Sequence, residues 1–253
     1  MNRYAQWLSF QTYRKRFIYI IWNWYGRKMK TQAAKSGEVR LDEGFKSLGY
    51  KSGIFDAARF GVFLETLPRA EPIPFRVGDV ADGYYFTTAI DEGKINKANI
   101  FYRLSSPQLE PLDALLASIR EELTSCLGCR WRVVNSRYWS TIAVPTAYGA
   151  NNWHVDGFPN DILKLMIYPH ETGGKWGTTE LVLPTKENFS VSGPPGTWLL
   201  FKNSELLHRG VPPEQGGRKI VEVTIVPAKR YGLTGRFAGH NAQFPKYPWM
   251  AHS

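Results

Sequence analysis

A mainly β domain, a sandwich or barrel braced by helices, is the fold class this sequence predicts, and three observations predict it. From residue 130 onward short β-rich runs recur, at 131–139, 163–168, 178–183, 197–201 and 219–226. Turns rich in Gly and Pro separate them, at Gly173-Gly174, at 193–196 and at 212–217. Strands at this spacing close into sandwiches or barrels. Before them stands one strong helical stripe, Leu109, Leu112, Leu115, Leu116, Ile119 and Leu123. Ser106-Pro107 marks its start and Gly128 its stop.

At 253 residues, 43% of them hydrophobic, the chain can bury one full core, and nothing reads as disordered bulk. Its charge is uneven. The first 37 residues hold eight Lys or Arg and no Asp or Glu, which leaves 24 basic against 22 acidic residues in the remainder. The basic excess therefore belongs to one segment. We read residues 1–37 as a basic, aromatic helix and 38–253 as a single domain with its barrel core at about 130–228.

Within that first segment Trp7, Phe10, Phe17, Ile21 and Trp24 fall three and four apart with Arg14, and Leu8, Ile18 and Tyr25 widen the stripe. The apolar run 17–25 is shorter than the roughly 20 residues a bilayer span requires. Trp and Tyr with basic flanks suit the membrane–water interface. Two expectations stand together: a helix packed on the domain, and a peripheral membrane contact through residues 7–30. The heavy aromatic load argues against an organelle transit peptide, and no nucleic-acid-binding motif follows. Two cysteines and no signal peptide point to a reducing, cytoplasmic setting, with Cys126 and Cys129 as ordinary thiols. Residues 38–105 read as mixed strands and loops, with strands expected at 59–64, 83–88 and 99–104. From Tyr231 a Gly- and Pro-rich tail is expected to wrap the barrel.

The chemistry lies in Asn152-Trp153-His154-Val155-Asp156-Gly157-Phe158 and, fifty-two residues beyond Asp156, His208. Residues i and i+2 of an extended strand share a face, so His154 and Asp156 can reach one metal ion together. A sheet can bring His208 alongside as third ligand. Two imidazoles and a carboxylate on one side of an ion leave positions open, the arrangement of a non-haem Fe(II) centre. Either histidine alone would read as structural, and His170, His240 and His252 read as solvated. The set joined by Arg218, ten residues past His208, is what points to a site.

These residues, with 177–184, 196–201 and 217–223, resemble the Fe(II)/2-oxoglutarate-dependent dioxygenases, particularly the phytanoyl-CoA-dioxygenase-like branch. The resemblance implies a double-stranded β-helix, a jelly-roll barrel of the cupin kind. It implies His154, Asp156 and His208 as iron ligands, and Arg218 as the fork that grips the distal carboxylate of 2-oxoglutarate. It also implies the reaction: O₂ consumed, succinate and CO₂ released, and an unactivated C–H hydroxylated. Relatives that halogenate replace the carboxylate at Asp156, so its presence favours hydroxylation.

One departure stands out. Many relatives carry a Ser two residues after the distal His, where this chain has Gly210. Lys164 and Tyr168 are the expected substitutes as cosubstrate contacts, while Asn152, Trp153 and Phe158 are the expected lining of the substrate pocket. The substrate is a small molecule, or a lipid-linked one if the first helix meets a membrane. The rival reading is a non-catalytic, cupin-like protein that binds a metal or sugar and is recruited to membranes by its N-terminus.

Overall fold

The computed structural model describes residues 3–37, 39–72, 90–91, 94–95, 99–142 and 151–232. Helix α1 (Arg3–Ser36) is followed by α2 (Glu43–Leu48), β1 (Tyr50–Ile54) and α3 (Ala57–Thr66). Short strands β2 (Glu71–Pro72), β3 (Ile90–Asp91) and β4 (Lys94–Ile95) lead to β5 (Asn99–Arg103). Then come α4 (Ser106–Ser118), α5 (Arg120–Leu127) and the long strand β6 (Trp131–Ile142). The remaining strands are β7 (Leu163–Ile167), β8 (Thr178–Val182), β9 (Asn188–Ser190), β10 (Thr197–Phe201), β11 (Leu207–Val211) and β12 (Gly217–Pro227).

Seven strands form one antiparallel sheet in the order β1-β10-β7-β12-β6-β5-β2, and β11-β8-β9 form a second. Side chains alternate across a pleated sheet, and the large sheet sorts its two faces accordingly. Leu163, Leu165, Ile167, Leu200, Val221, Val223 and Ile225 pack outward on the helices. Met166, Tyr168, Leu199, Phe201 and Ile220 face inward, where they meet Leu181 and Val191 of the small-sheet side. Two sheets closed on a shared interior make the double-stranded β-helix.

The helices cover the outer face with Met29, Phe45, Phe60, Phe63, Leu112, Leu115, Leu116 and Leu123. The expected stripe at 109–123 holds, but it bends: Ile119 separates α4 from α5. Gly128 stops α5 at φ 78°, its N–H bonded to the Thr124 carbonyl. In that left-handed region glycine avoids a Cβ penalty. Ser105 rather than Ser106 caps α4, in a reciprocal box with Gln108.

Two expectations are corrected. The run at 59–64 is helical, because Asp56 caps the backbone N–H of Arg59 and Phe60, Phe63 and Leu67 recur at helical steps. In α1 the buried face is Trp22, Tyr25, Gly26, Met29 and Ala33, whereas Trp24, expected on the apolar stripe, is 60% exposed. Lys30 of α1 pairs with Asp161, and the Asn23 side-chain carbonyl accepts the Asn160 N–H, which tie α1 to the loop before β7. The strand expected at 83–88 and the tail from 233 lie outside the described residues. Cys126 and Cys129 are free and buried, and burial first of all pushes each thiol up to about 12. Among the described residues no helix is long and apolar enough to cross a membrane.

Asp113 on α4 supplies a pH test of this packing. Burial first, and the like charge of Glu110 second, push its carboxyl up to about 6, against about 3.9 in an unfolded chain. The folded chain thus keeps a proton that the unfolded chain gives up. The group costs nothing below the unfolded value, and stability falls as pH rises through the folded one. Asp113→Asn should raise the melting temperature at neutral pH and leave it unchanged near pH 4; equal gains at both would contradict the assignment.

Candidate metal centre

His154 is not part of a regular strand. It forms a single antiparallel bridge with His208 at the start of β11, each backbone N–H bonding the other's carbonyl at 2.9 and 2.8 Å. Two residues on, the Asp156 N–H bonds the Asn203 carbonyl at 2.8 Å. These three bonds clamp the HxD segment alongside β11. The imidazole centroids come to 4.3 Å, and the ligand atoms of His154, Asp156 and His208 all lie within 4.8 Å of one another.

Each imidazole is oriented from behind. His154 Nδ1 meets the Asn152 carbonyl at 2.8 Å and His208 Nδ1 the Leu206 carbonyl at 2.9 Å. A carbonyl only accepts, so each Nδ1 carries a proton and each Nε2 is the nitrogen left to face the site. His208 Nε2 is buried and has no hydrogen-bond partner. Burial first, and the Lys164 ammonium second, push His208 down to about 4, so it stands neutral at physiological pH.

Asp156 is held from the other side. Its Oδ2 accepts from the Lys164 ammonium and, at 2.9 Å, from the Asn203 amide. Burial works to raise its pKa, but Lys164, His208 and Asn203 outweigh burial and hold the carboxyl well below the usual range. With Oδ2 occupied, Oδ1 is the free oxygen, 3.7 Å from His154 Nε2. Two imidazole Nε2 atoms and one carboxylate oxygen on one side of a point fit a divalent first-row metal.

Four residues share the inner face of β12 at every second position: Arg218, Ile220, Glu222 and Thr224. Glu222 is fully buried, paired with Arg137 across β6 and, at 3.4 Å, with Lys164 of β7. Arg218, 7% exposed, donates from Nη2 to Thr179 Oγ at 2.7 Å, while its Nε has no partner. Tyr168 brings its hydroxyl beside Arg218 and Thr179 without a well-aligned bond to either, and burial raises its pKa. No carboxylate lies within ion-pair distance of Arg218 among the described residues. Arg218 and Tyr168 line a cavity of about 580 Å³ with Ser140, Thr172, His170 and Lys219.

No family model matches this chain, and no curated protein matches it by sequence. Solved structures do. The non-heme alpha ketoglutarate dependent epimerase SnoN from nogalamycin biosynthesis superposes with a TM-score of 0.52 at 12% identity, over 73% of this chain and 80% of that one. EctD from S. alaskensis, solved with 2-oxoglutarate and 5-hydroxyectoine, gives 0.50 at 15% identity over 79% and 84%. What these structures share with the chain is the fold, a double-stranded β-helix.

Within this fold the residues singled out by sequence are partly brought together. His154, Asp156 and His208 converge, and Arg218 and Tyr168 meet at a second point of the interior. Lys164 pairs with Asp156 and, at 3.4 Å, with Glu222. Trp153 lies beside His154 with the Arg209 guanidinium 4.6 Å from its ring, and Arg209 also pairs with Glu180 at 2.7 Å. The Asn152 side chain is exposed, and the residue's backbone carbonyl is what orients His154. Phe158 packs against Trp22, Val134, Ile162 and Val226, a cluster shared with α1.

Sequence reasoning missed Asn203, Thr179 and the role of Glu222. A charged residue inside the apolar run 220–226 was the available signal, because a buried carboxylate requires partners. Asn203 supports a ligand without touching the metal position, and such support is worth roughly tenfold or more in affinity. Asn203→Ala should therefore weaken Mn(II) or Zn(II) binding by about tenfold in a chelator competition titration. Undiminished affinity would show that Lys164 alone fixes Asp156.

Proposed function

We propose that this chain is an Fe(II)- and 2-oxoglutarate-dependent oxygenase, most simply a hydroxylase of the phytanoyl-CoA-dioxygenase-like branch. The observation that carries the reading is a buried guanidinium without a counter-ion among the described residues. Leaving a charge unpaired in a protein interior costs several kcal/mol, so Arg218 marks a place where an anion completes the structure. The Tyr168 hydroxyl is also unpartnered there, and Thr179 holds the fork in place. Those groups fit a ligand carboxylate, and the two histidines with Asp156 fit the metal.

In this reading His154, His208 and the free oxygen of Asp156 hold Fe(II). Arg218, Thr179 and Tyr168 hold the distal carboxylate of 2-oxoglutarate. The Lys164 and Asn203 bonds keep Asp156 from taking the metal through both oxygens, which preserves open positions for cosubstrate and O₂. When bound, iron and 2-oxoglutarate supply O₂ activation coupled to decarboxylation, with succinate and CO₂ released. The chain's own residues need move no proton: they orient the ligands, place the target carbon and exclude water.

Thr179 answers the departure at Gly210. The two residues are directly paired across β8 and β11, so the hydroxyl that relatives carry after the distal His is supplied here from the facing strand. Lys164, expected as a cosubstrate contact, is assigned instead to holding Asp156. SnoN has been solved with nogalamycin RO and EctD with 5-hydroxyectoine, which supports small-molecule substrates here. Lipid-linked molecules are the narrower class, on the strength of the exposed aromatic and basic residues of α1.

Anaerobic addition of Fe(II) and 2-oxoglutarate should produce a weak visible charge-transfer band, absent in His208→Ala. Arg218→Met should raise the 2-oxoglutarate half-saturation by at least thirtyfold, the fold-change of about 2 kcal/mol or more for breaking a buried ionic hydrogen bond. Thr179→Val should raise it about threefold to tenfold, and Thr179→Ser should restore it. If no band forms and no succinate is released with O₂ uptake, the oxygenase reading fails. If the band forms but Thr179→Val titrates like the parent, only the Thr179 assignment fails.

A further inference from the structure

The second half of α1 presents two opposed faces, and the fold uses only one. At 3.6 residues per turn, Trp22, Tyr25, Gly26, Met29 and Ala33 lie together, and all are buried against the domain. Ile20, Trp24, Arg27, Lys28, Thr31 and Lys35 lie on the other side, and all are exposed. Among them Ile20 is 65% and Trp24 60% exposed, and the Lys28 ammonium stands 5.2 Å above the Trp24 ring. Large apolar side chains open to water one turn apart, beside three cations, form neither a core-facing stripe nor an ordinary solvated face.

We propose that this outer face of α1 docks the protein on the surface of an anionic lipid bilayer. An indole is at home at headgroup depth, where its ring is apolar and its N–H wet, and neighbouring Lys and Arg meet lipid phosphates and carboxylates. The absence of any acidic residue in the first 37 removes the repulsion that would oppose this contact. The rest of the chain is close to charge-balanced, 24 basic to 22 acidic, so attraction would orient the molecule with α1 toward the lipid. A nucleic acid would also be drawn to the cations, but it offers no apolar layer to cover Ile20. The packed face, Trp22 to Ala33, stays with the domain, so docking needs no unfolding. The inference stands apart from the oxygenase reading, since none of its residues touches the metal centre.

Full-length protein should sediment with vesicles of phosphatidylcholine containing phosphatidylserine and remain in the supernatant with phosphatidylcholine alone. Lys28→Glu and Arg27→Glu should each lower partitioning at least fivefold, the fold-change of about 1 kcal/mol per basic residue near such a surface. Trp24→Ser should lower it as well, at unchanged melting temperature, because the side chain supports nothing in the fold. Raised salt should weaken the cationic share. The proposal is overturned if the parent protein ignores anionic vesicles, or if these variants bind as the parent does. It is equally overturned if Trp24→Ser abolishes self-association or duplex-DNA binding while vesicle binding is absent.

Discussion

The register of β12 between β6 and β7 is the constraint on which the rest depends. Hydrogen-bonded along both edges, it pairs Glu222 with Arg137 on one side and Met166 on the other. A slip of one residue in a pleated strand exchanges its faces. It would turn Arg218 and Glu222 onto the helices and drive Val221 and Val223 into the barrel. The apolar outer face is therefore what holds the charged inner face in place: Val221, Val223 and Ile225, packed with Leu163, Leu165 and Ile167, make any other register costly.

The inner face then carries two charge systems of different character. Arg137, Glu222, Lys164 and Asp156 form a chain in which each charge has an opposite neighbour. Burial opposes the charges of Asp156, Lys164 and Glu222, but the partners prevail: both carboxyls are lowered and the Lys164 ammonium is raised. Such chains seldom add stability over an apolar core; their use here is to orient Asp156. Arg218 is the contrast. Its neighbours are hydroxyls, and burial works against its charge without a carboxylate in compensation among the described residues. A complete network at one point and an incomplete one at another, on the same face of one strand, is the physical basis for placing metal and anion separately.

Much of this was legible in the chain because it is encoded locally. The β runs after residue 130, the glycine stop at Gly128 and the HxD motif each follow from residue type and spacing. The convergence of His208 on His154 and Asp156 needed a long-range pairing that the resemblance supplied and that residue spacing alone could not. Other features were hidden for identifiable reasons. A six-residue apolar run at 59–64 suits a strand or a helix, and the cap at Asp56 decides it. In α1 aromatic residues occur on both sides, so periodicity alone could not choose the packed face: Tyr25 is buried and Trp24 is exposed. Lys164 was visible as an inward cation, but its partner was not, because Glu222 lies 58 positions away and meets it only through the β7–β12 pairing.

The most direct measurement is a structure of crystals grown without oxygen in the presence of Mn(II) and 2-oxoglutarate. The account predicts one metal ion on Nε2 of His154, Nε2 of His208 and a single oxygen of Asp156. It also predicts a ligand carboxylate bonded to Arg218 and the Thr179 hydroxyl. A metal bound away from these three side chains, or an Arg218 that keeps its present contacts while the ligand carboxylate sits elsewhere, would contradict it.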